Sequence, residues 1–231
     1  MKTIGLIGGM SWESTVSYYQ TINTRVKEQL GGLHSAKCAL YSVDFQEIEA
    51  CQKEGRWDDS AKILAEAARS VERAGADFAL ICTNTMHKVF DQVQAAVSIP
   101  LLHIAEATAG VVLKQGLERI GLLGTAYTME QDFYKAKLQQ AGIEVIIPEA
   151  DERREISRVI YEELCLGIIR KESRDYYVRV VESLSGRGAQ GVIMGCTEIG
   201  LLLSPEYTDV PLFDTAEIHA SSAAQRAMET R

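Results

Sequence analysis

Short apolar runs alternate with longer stretches of helical periodicity along the whole chain, which predicts repeated β/α units feeding parallel sheets. Strands are predicted at residues 3–7, 39–43, 78–82, 101–104, 120–123, 145–147, 192–195 and 212–214. Helices are predicted at 13–29, 60–74, 88–96, 129–141, 156–166, 174–184 and 216–228. In the second of these, Ile63, Ala67, Val71 and Ala74 recur on one face while Lys62, Glu66, Arg69 and Arg73 fall on the other. That helix is expected to cover a sheet. The glycine-rich stretches Gly31-Gly32 and Gly186-Arg187-Gly188 are too short to act as linkers.

The pattern is also duplicated. Ile4-Gly5-Leu6-Ile7-Gly8-Gly9 returns as Ile120-Gly121-Leu122-Leu123-Gly124-Thr125, and Tyr18 finds Tyr134 at the same offset. Phe78-Ala79-Leu80-Ile81, leading to Cys82-Thr83-Asn84-Thr85, returns as Gly191-Val192-Ile193-Met194, leading to Gly195-Cys196-Thr197-Glu198. Ile99-Pro100-Leu101-Leu102 returns as Val210-Pro211-Leu212-Phe213. Three echoes in one order imply two equivalent α/β halves. Such halves are expected to face each other across a cleft, with Thr83 opposite Cys196.

Composition narrows the class. The chain has 231 residues, 46% hydrophobic and 24% charged, as expected for a globular protein of one or two domains. A net charge of −8 argues against a nucleic-acid or anionic-membrane partner. The opening residues read as a strand rather than a targeting leader, and no apolar run approaches bilayer length, so a cytoplasmic location is expected. The five cysteines, Cys38, Cys51, Cys82, Cys165 and Cys196, are scattered without a Cys-x-x-Cys pair, which suits reduced thiols better than disulfides or zinc.

Three features invite chemistry. The Gly8-Gly9-Met10-Ser11 turn lies between a strand and a helix, where backbone amides can meet a carboxylate or phosphate. It lacks the Gly-x-Gly-x-x-Gly spacing of a dinucleotide site, and Asp44, the acid at a strand end, lies too far along; a tight turn without a ligand is the plain alternative. Cys196 ends a strand just before a predicted helix, a place that can lower a thiol's pKa and make it a base or nucleophile. A lone strand-end cysteine is more often packing, but the equivalent Thr83-Asn84-Thr85 turn favours chemistry. Cys82, one place earlier than Thr83, is expected to point to the opposite face of its sheet. His34, His87, His103 and His219 lack metal-site spacing, and His87 either shapes a site or is simply buried.

Thr83-Asn84-Thr85-Met86-His87, Gly195-Cys196-Thr197-Glu198 and the Gly-Gly-Met opening resemble the cofactor-independent aspartate/glutamate racemase family over nearly the whole chain. The resemblance implies two pseudo-symmetric Rossmann-like parallel-sheet domains. Residues 1–97 plus 208–231 would form the first, and 98–207 the second. It also implies a homodimer, no cofactor, and an amino-acid substrate held by Met10, Thr83, Asn84, Thr85, Cys196, Thr197 and Glu198. Inversion at an α-carbon needs one group to remove a proton and another to return one on the opposite face. Without pyridoxal phosphate, amides and hydroxyls must stabilise the enediolate.

Two departures stand out. Thr83 replaces the family's first cysteine, so Cys196 is expected to abstract the proton, by analogy from the L enantiomer, with Thr83 on the donating side. The lysine usual in a Tyr-Glu-x-x-Lys-x-Gly segment is Cys165 in Tyr161-Glu162-Glu163-Leu164-Cys165-Leu166-Gly167, and the arginine expected near Phe45-Gln46-Glu47-Ile48 is absent. Gln52 becomes the candidate for the substrate's distal group, opening the way to neutral polar amino acids such as homoserine. A single-cysteine decarboxylase of the same superfamily and a non-catalytic amino-acid sensor are the rival readings.

Overall fold

The computed structural model describes residues 1–229. In chain order the strands are β1 (Ile4–Gly8), β2 (Cys38–Ser42), β3 (Phe78–Ile81), β4 (Leu101–Leu102), β5 (Arg119–Gly124), β6 (Glu144–Ile146), β7 (Val192–Gly195) and β8 (Leu212–Asp214). The helices are α1 (Trp12–Leu30), α2 (Phe45–Lys53), α3 (Trp57–Arg73), α4 (Phe90–Gln94), α5 (Ile104–Lys114), α6 (Ala126–Glu130), α7 (Asp132–Gln140), α8 (Ala150–Glu162), α9 (Lys171–Gly186) and α10 (Thr215–Met228). Two compact units result, one built from Met1–Ile104 and the segment from Ala216 on, the other from Ala105–Thr215. The chain leaves the first unit only after β4 has completed its sheet, and returns only after β8 has completed the other.

In the first unit the sheet order is β2-β1-β3-β4 with every pairing parallel. Alternation along the strands divides the core in two. Ile7, Ala79 and Ile81 pack with Leu64, Ala67, Ala68 and Val71 of α3, while Ile4, Leu6, Phe78, Leu80 and Cys82 pack with α1 and α10. Cys82 therefore lies on the α1 and α10 side. Burial of Leu64 or Val71 contributes about 1.5–3 kcal/mol each. Ala216, Ala220, Ala223, Ala224 and Ala227 give α10 a face of small residues against β1 and β3.

The second unit repeats the plan as β6-β5-β7-β8, again wholly parallel. Leu123, Val192 and Met194 pack with Ile156, Val159 and Ile160 of α8 and Tyr177, Val180, Val181 and Leu184 of α9. The duplication reaches single hydroxyls. Tyr18 bonds to Nδ1 of His219 on α10 at 3.0 Å, and the buried Tyr134 sets its hydroxyl beside Thr108 on α5.

All eight predicted strands form, with no end shifted by more than two residues. The helices depart further from the sequence pattern. Asp44, read as an acid at a strand end, caps α2 by accepting from the Gln46 amide at 3.0 Å; the sequence pattern had not marked that helix. Nor had it marked α5, whose apolar and small residues show little contrast between faces. Residues 129–141 break at Gln131, which is extended and separates α6 from α7. Residues 88–96 begin as the 3-10 turn Thr85–Val89 before α4. On α3 the buried stripe runs through Ala61, Leu64, Ala68 and Val71, so Ile63 is only half-buried and Ala74 is exposed. No helix of the described residues is long and apolar enough to cross a membrane.

Candidate functional site

Each sheet changes direction at its first strand. The chain passes from β1 to β2 on one side and then places β3 on the other, leaving a switch point where β1 and β3 end. In the first unit that point receives the Gly8-Gly9-Met10-Ser11 turn and Thr83-Asn84-Thr85. Thr15 of α1 organises the turn: its Oγ1 accepts from the Gly9 amide at 2.9 Å and donates to the Ser11 carbonyl at 2.8 Å. Ser11 Oγ caps α1 by accepting from the Ser14 amide at 3.3 Å. Gly8 is required because a Cβ there would lie 2.4 Å from Thr15 Cγ2, and Gly9 adopts a φ of 94°. The Met10 side chain is buried in the core with Ile48 and Met86, so the turn offers backbone rather than that side chain.

Thr83 is half-buried, and Asn84 and Thr85 are buried. Gln52 is buried on α2 and donates through Nε2 to Met86 Sδ at 3.1 Å, which brings it beside the turn that begins at Thr85. His87 is a buried, bonded residue. Its Nε2 accepts from the Ile104 amide at 3.1 Å, so Nδ1 carries the proton donated to the Thr83 carbonyl at 2.8 Å. Burial, followed by the nearby His103 and His219, holds His87 well below the usual histidine range. His219 donates from Nε2 to the Leu102 carbonyl at 2.9 Å and accepts from Tyr18. Burial pushes it down to about 3. Neutral histidines thus hold both ends of the Leu102-His103-Ile104 segment. Among the described residues, no group of three or more His, Cys, Asp or Glu is arranged to hold a metal ion.

The second unit has its switch point between β5 and β7, where Gly124-Thr125 meets Gly195-Cys196. Thr125 caps α6 by accepting from the Thr128 amide at 3.3 Å, a counterpart of Ser11 in the first unit. Cys196 is 9% exposed, and its thiol donates to Glu198 Oε2 at 3.0 Å. The half-buried Thr197 donates its hydroxyl to the same oxygen at 2.8 Å. These three candidates are therefore one hydrogen-bonded cluster.

The expected lowering of the Cys196 pKa is overturned. Burial, then the Glu198 charge and the neighbouring Cys165, push the thiol well above the ordinary range. The predicted helix is also missing: only the 3-10 turn Ile199–Leu201 follows, too short to supply a helix dipole. Cys165 lies in another 3-10 turn, Leu164–Leu166, after α8. Tyr177, which carries no distinguishing signal in the sequence, donates from α9 to the Ile156 carbonyl at 2.8 Å, and burial, followed by the nearby Cys196, pushes its hydroxyl well above the ordinary range. Cys82 is fully buried among apolar groups, and burial raises its thiol far beyond use as a base. The organising Thr15 had likewise not been picked out; its only sequence signal is its place four residues after a capping serine.

The sequence model of the Asp/Glu/Hydantoin racemase family matches residues 7–223. The chain is 25% identical over 165 residues to the broad-specificity amino-acid racemase RacX of Bacillus subtilis (strain 168), covering 71% of each protein. Among solved structures, it is 57% identical to a candidate Asp/Glu racemase from Yersinia pestis, with a TM-score of 0.93 over 99% of this chain and 100% of that one. An aspartate racemase homologue from Pyrococcus horikoshii OT3 shares 38% identity, with a TM-score of 0.86 over 99% and 100% of the two chains.

Proposed function

The chain belongs to the Asp/Glu/hydantoin racemase family, and from that premise we propose that it racemises polar amino acids without pyridoxal phosphate. Aspartate and glutamate are the first candidate substrates, followed by related side chains such as homoserine. The observation that carries this reading is the equivalence of two strand ends. Thr83 follows β3, Cys196 follows β7, and each stands at the switch point of its own sheet. Such positions are where open α/β sheets bind their ligands.

In this reading Cys196 takes the α-proton and reprotonation comes from the Thr83 side. A threonine hydroxyl is too weak an acid to form a resting base, so α-proton exchange with solvent is faster from the enantiomer that Cys196 deprotonates, while net racemisation keeps equal kcat/KM in the two directions because the enantiomers have equal energy. The Gly9 and Met10 amides, Asn84 and the hydroxyls of Thr85 and Thr197 are the groups that would hold the substrate carboxylate as it becomes an enediolate. Gln52 would meet the distal side-chain group. A homodimer is the proposed working form, with no nucleic-acid or membrane partner.

Proton NMR in deuterium oxide tests the proposal. The protein is incubated without added cofactor with L- and D-aspartate, glutamate and homoserine, and the α-proton signal is followed. Loss of that signal, faster from one enantiomer, is expected. If no amino acid exchanges its α-proton, the racemase assignment fails, and binding without exchange would point to a sensor.

A further inference from the structure

The second unit carries two of the five thiols, and they differ in their access to solvent. Cys196 is buried at the end of β7, whereas Cys165 is half-buried in the 3-10 turn Leu164–Leu166. Cys165 packs against the apolar cluster that holds Cys196 together with Leu164, Ile199 and Leu202. It is close enough to raise the proton affinity of Cys196. We infer that Cys165 and Cys196 form a redox pair, which a peroxide closes into a disulfide and a small thiol reopens, so that the protein is switched off while the bridge stands. The bridge depends only on the two cysteines; that it silences the protein rests on the reading of Cys196 as the abstracting group.

The surroundings favour this pair. β7 is fixed between β5 and β8, which leaves the backbone before Cys196 little freedom. Cys165 lies instead on a single turn that runs on into the exposed Leu166, Ile168 and Ile169. The base of the turn is the buried Glu163, whose carboxylate accepts from the Ser173 hydroxyl at 2.6 Å and from Arg158 Nη2 at 3.0 Å. Its carbonyl accepts from the Leu166 and Ile168 amides at 3.0 and 2.9 Å. A disulfide needs Cα atoms about 4.4–6.8 Å apart, and the adjustment that sets this span falls on the short surface turn rather than on the sheet. The other three cysteines belong to the first unit. Cys38 on β2 and Cys82 after β3 lie on either side of β1, two strand spacings or about 9–10 Å apart, outside disulfide reach. Cys51 on α2 accepts from Arg56 Nη1 at 3.3 Å.

Cys165, the thiol open to solvent, reacts first. Its sulfur attacks the peroxide, an S–O bond forms as the O–O bond breaks, and the thiol proton leaves with the displaced oxygen as water. Cys196 then attacks the sulfenic sulfur. An S–S bond forms, the S–O bond breaks, and the Cys196 proton leaves with the hydroxide as a second water. Two thiols are thus oxidised by two electrons while one peroxide is reduced to two waters. The second attack is intramolecular, which offsets the poor nucleophilicity of a buried neutral thiol. While bridged, Cys196 has no thiolate to take an α-proton. A small thiol attacks the bridge, passes through a mixed disulfide and restores both cysteines. The bridge also keeps Cys196 from the sulfinic state, which is not reversed by thiols.

Peptide mapping after peroxide treatment tests this independently of racemisation. The purified protein is treated with hydrogen peroxide, its remaining thiols are trapped with iodoacetamide in denaturant, and it is digested without reductant for mass spectrometry. A linked pair of peptides carrying Cys165 and Cys196 is expected, lighter than the two free peptides by two hydrogens, from a protein that still runs as a single chain. Dithiothreitol should abolish it. α-Proton exchange on L-aspartate and L-glutamate is expected to fall in proportion to the linked fraction and to return with dithiothreitol. In Cys165→Ala the fraction of exchange surviving a peroxide dose that silences the wild type should be higher. A wild type that yields no linked pair at doses that already oxidise the exposed Met1 overturns the proposal, even if the variant does not fold. So does a variant silenced as fast as the wild type, which would mean direct oxidation of Cys196. A linked pair in a protein that exchanges no α-proton when fully reduced removes the racemase reading alone, whereas exchange by the reduced protein without a linked pair removes the redox pair alone.

Discussion

Nδ1 of His87 donates to the Thr83 carbonyl at 2.8 Å while Nε2 of the same ring accepts from the Ile104 amide at 3.1 Å. One neutral imidazole joins the turn that carries Thr83 to the segment by which the chain leaves the first unit. His87→Ala removes both bonds and opens a buried space, so a loss of about 2–4 kcal/mol is expected. Urea unfolding measures it; an unchanged midpoint would show that the clamp adds nothing to stability.

Stability should also depend on pH through His87 and His219. Both are held below the usual histidine pKa by burial, His219 to about 3. Above about pH 6.5, neither folded nor unfolded chain protonates them and they cost nothing. As the pH falls from there toward 3, the unfolded chain binds protons that the folded chain refuses, so stability is lost. Each such proton contributes a slope of about 1.4 kcal/mol per pH unit. Urea midpoints at pH 7.5 and 5 should differ, and His219→Gln should shrink the difference. Equal differences in variant and wild type would count against the assignment.

Thr83→Cys supplies a thiol at the strand end equivalent to that of Cys196. The slower direction of α-proton exchange is expected to rise by about tenfold or more, within the range of general acid–base effects. Cys196→Ser should lower both directions by about 10²–10⁴-fold. Exchange of both enantiomers at equal kcat/KM in the wild type would contradict the asymmetry.

Gln52→Leu breaks the Nε2 bond to Met86 and removes the polar group proposed to meet the substrate side chain. The ratio of kcat/KM between homoserine and aspartate should change by about tenfold or more. A preserved ratio would remove Gln52 from side-chain recognition.

Gly8→Ala is expected to be severe. Its Cβ would press on Thr15, whose hydroxyl holds the Gly9 amide, so overpacking costs about 1–3 kcal/mol and the turn shifts. Thermal unfolding reports the first effect and substrate KM the second.

Much of the fold was legible because buried parallel strands are short, apolar and bounded by turns; the pairing of Gly8 with Gly124 and of Thr83 with Cys196 marked equivalent strand ends, which the strand order then shows to be switch points. The helix α5 escaped notice because its residues, from Ile104 to Lys114, are nearly all small or apolar and show no polar face. For α2, Asp44 reads in the sequence only as an acid at a strand end, too far along for a dinucleotide site, and only a fixed backbone shows its side chain turned to the Gln46 amide. The candidate residues were legible as types at strand ends. Their protonation was not, because the state of Cys196 depends on its burial and on the direction in which Glu198 turns. Neither quantity has a signature in the order of residues.

The placement of α10 carries a consequence for how the protein is made. Its alanines cover β1 and β3, yet they follow every residue of the second unit in the chain. As a ribosome extends the chain, the first sheet emerges early with one apolar flank covered by α1 alone, and it must wait for more than a hundred further residues before α10 completes that layer. A nascent first half is therefore a natural client for whatever shields apolar surfaces during synthesis, and its maturation is tied to completion of the second half.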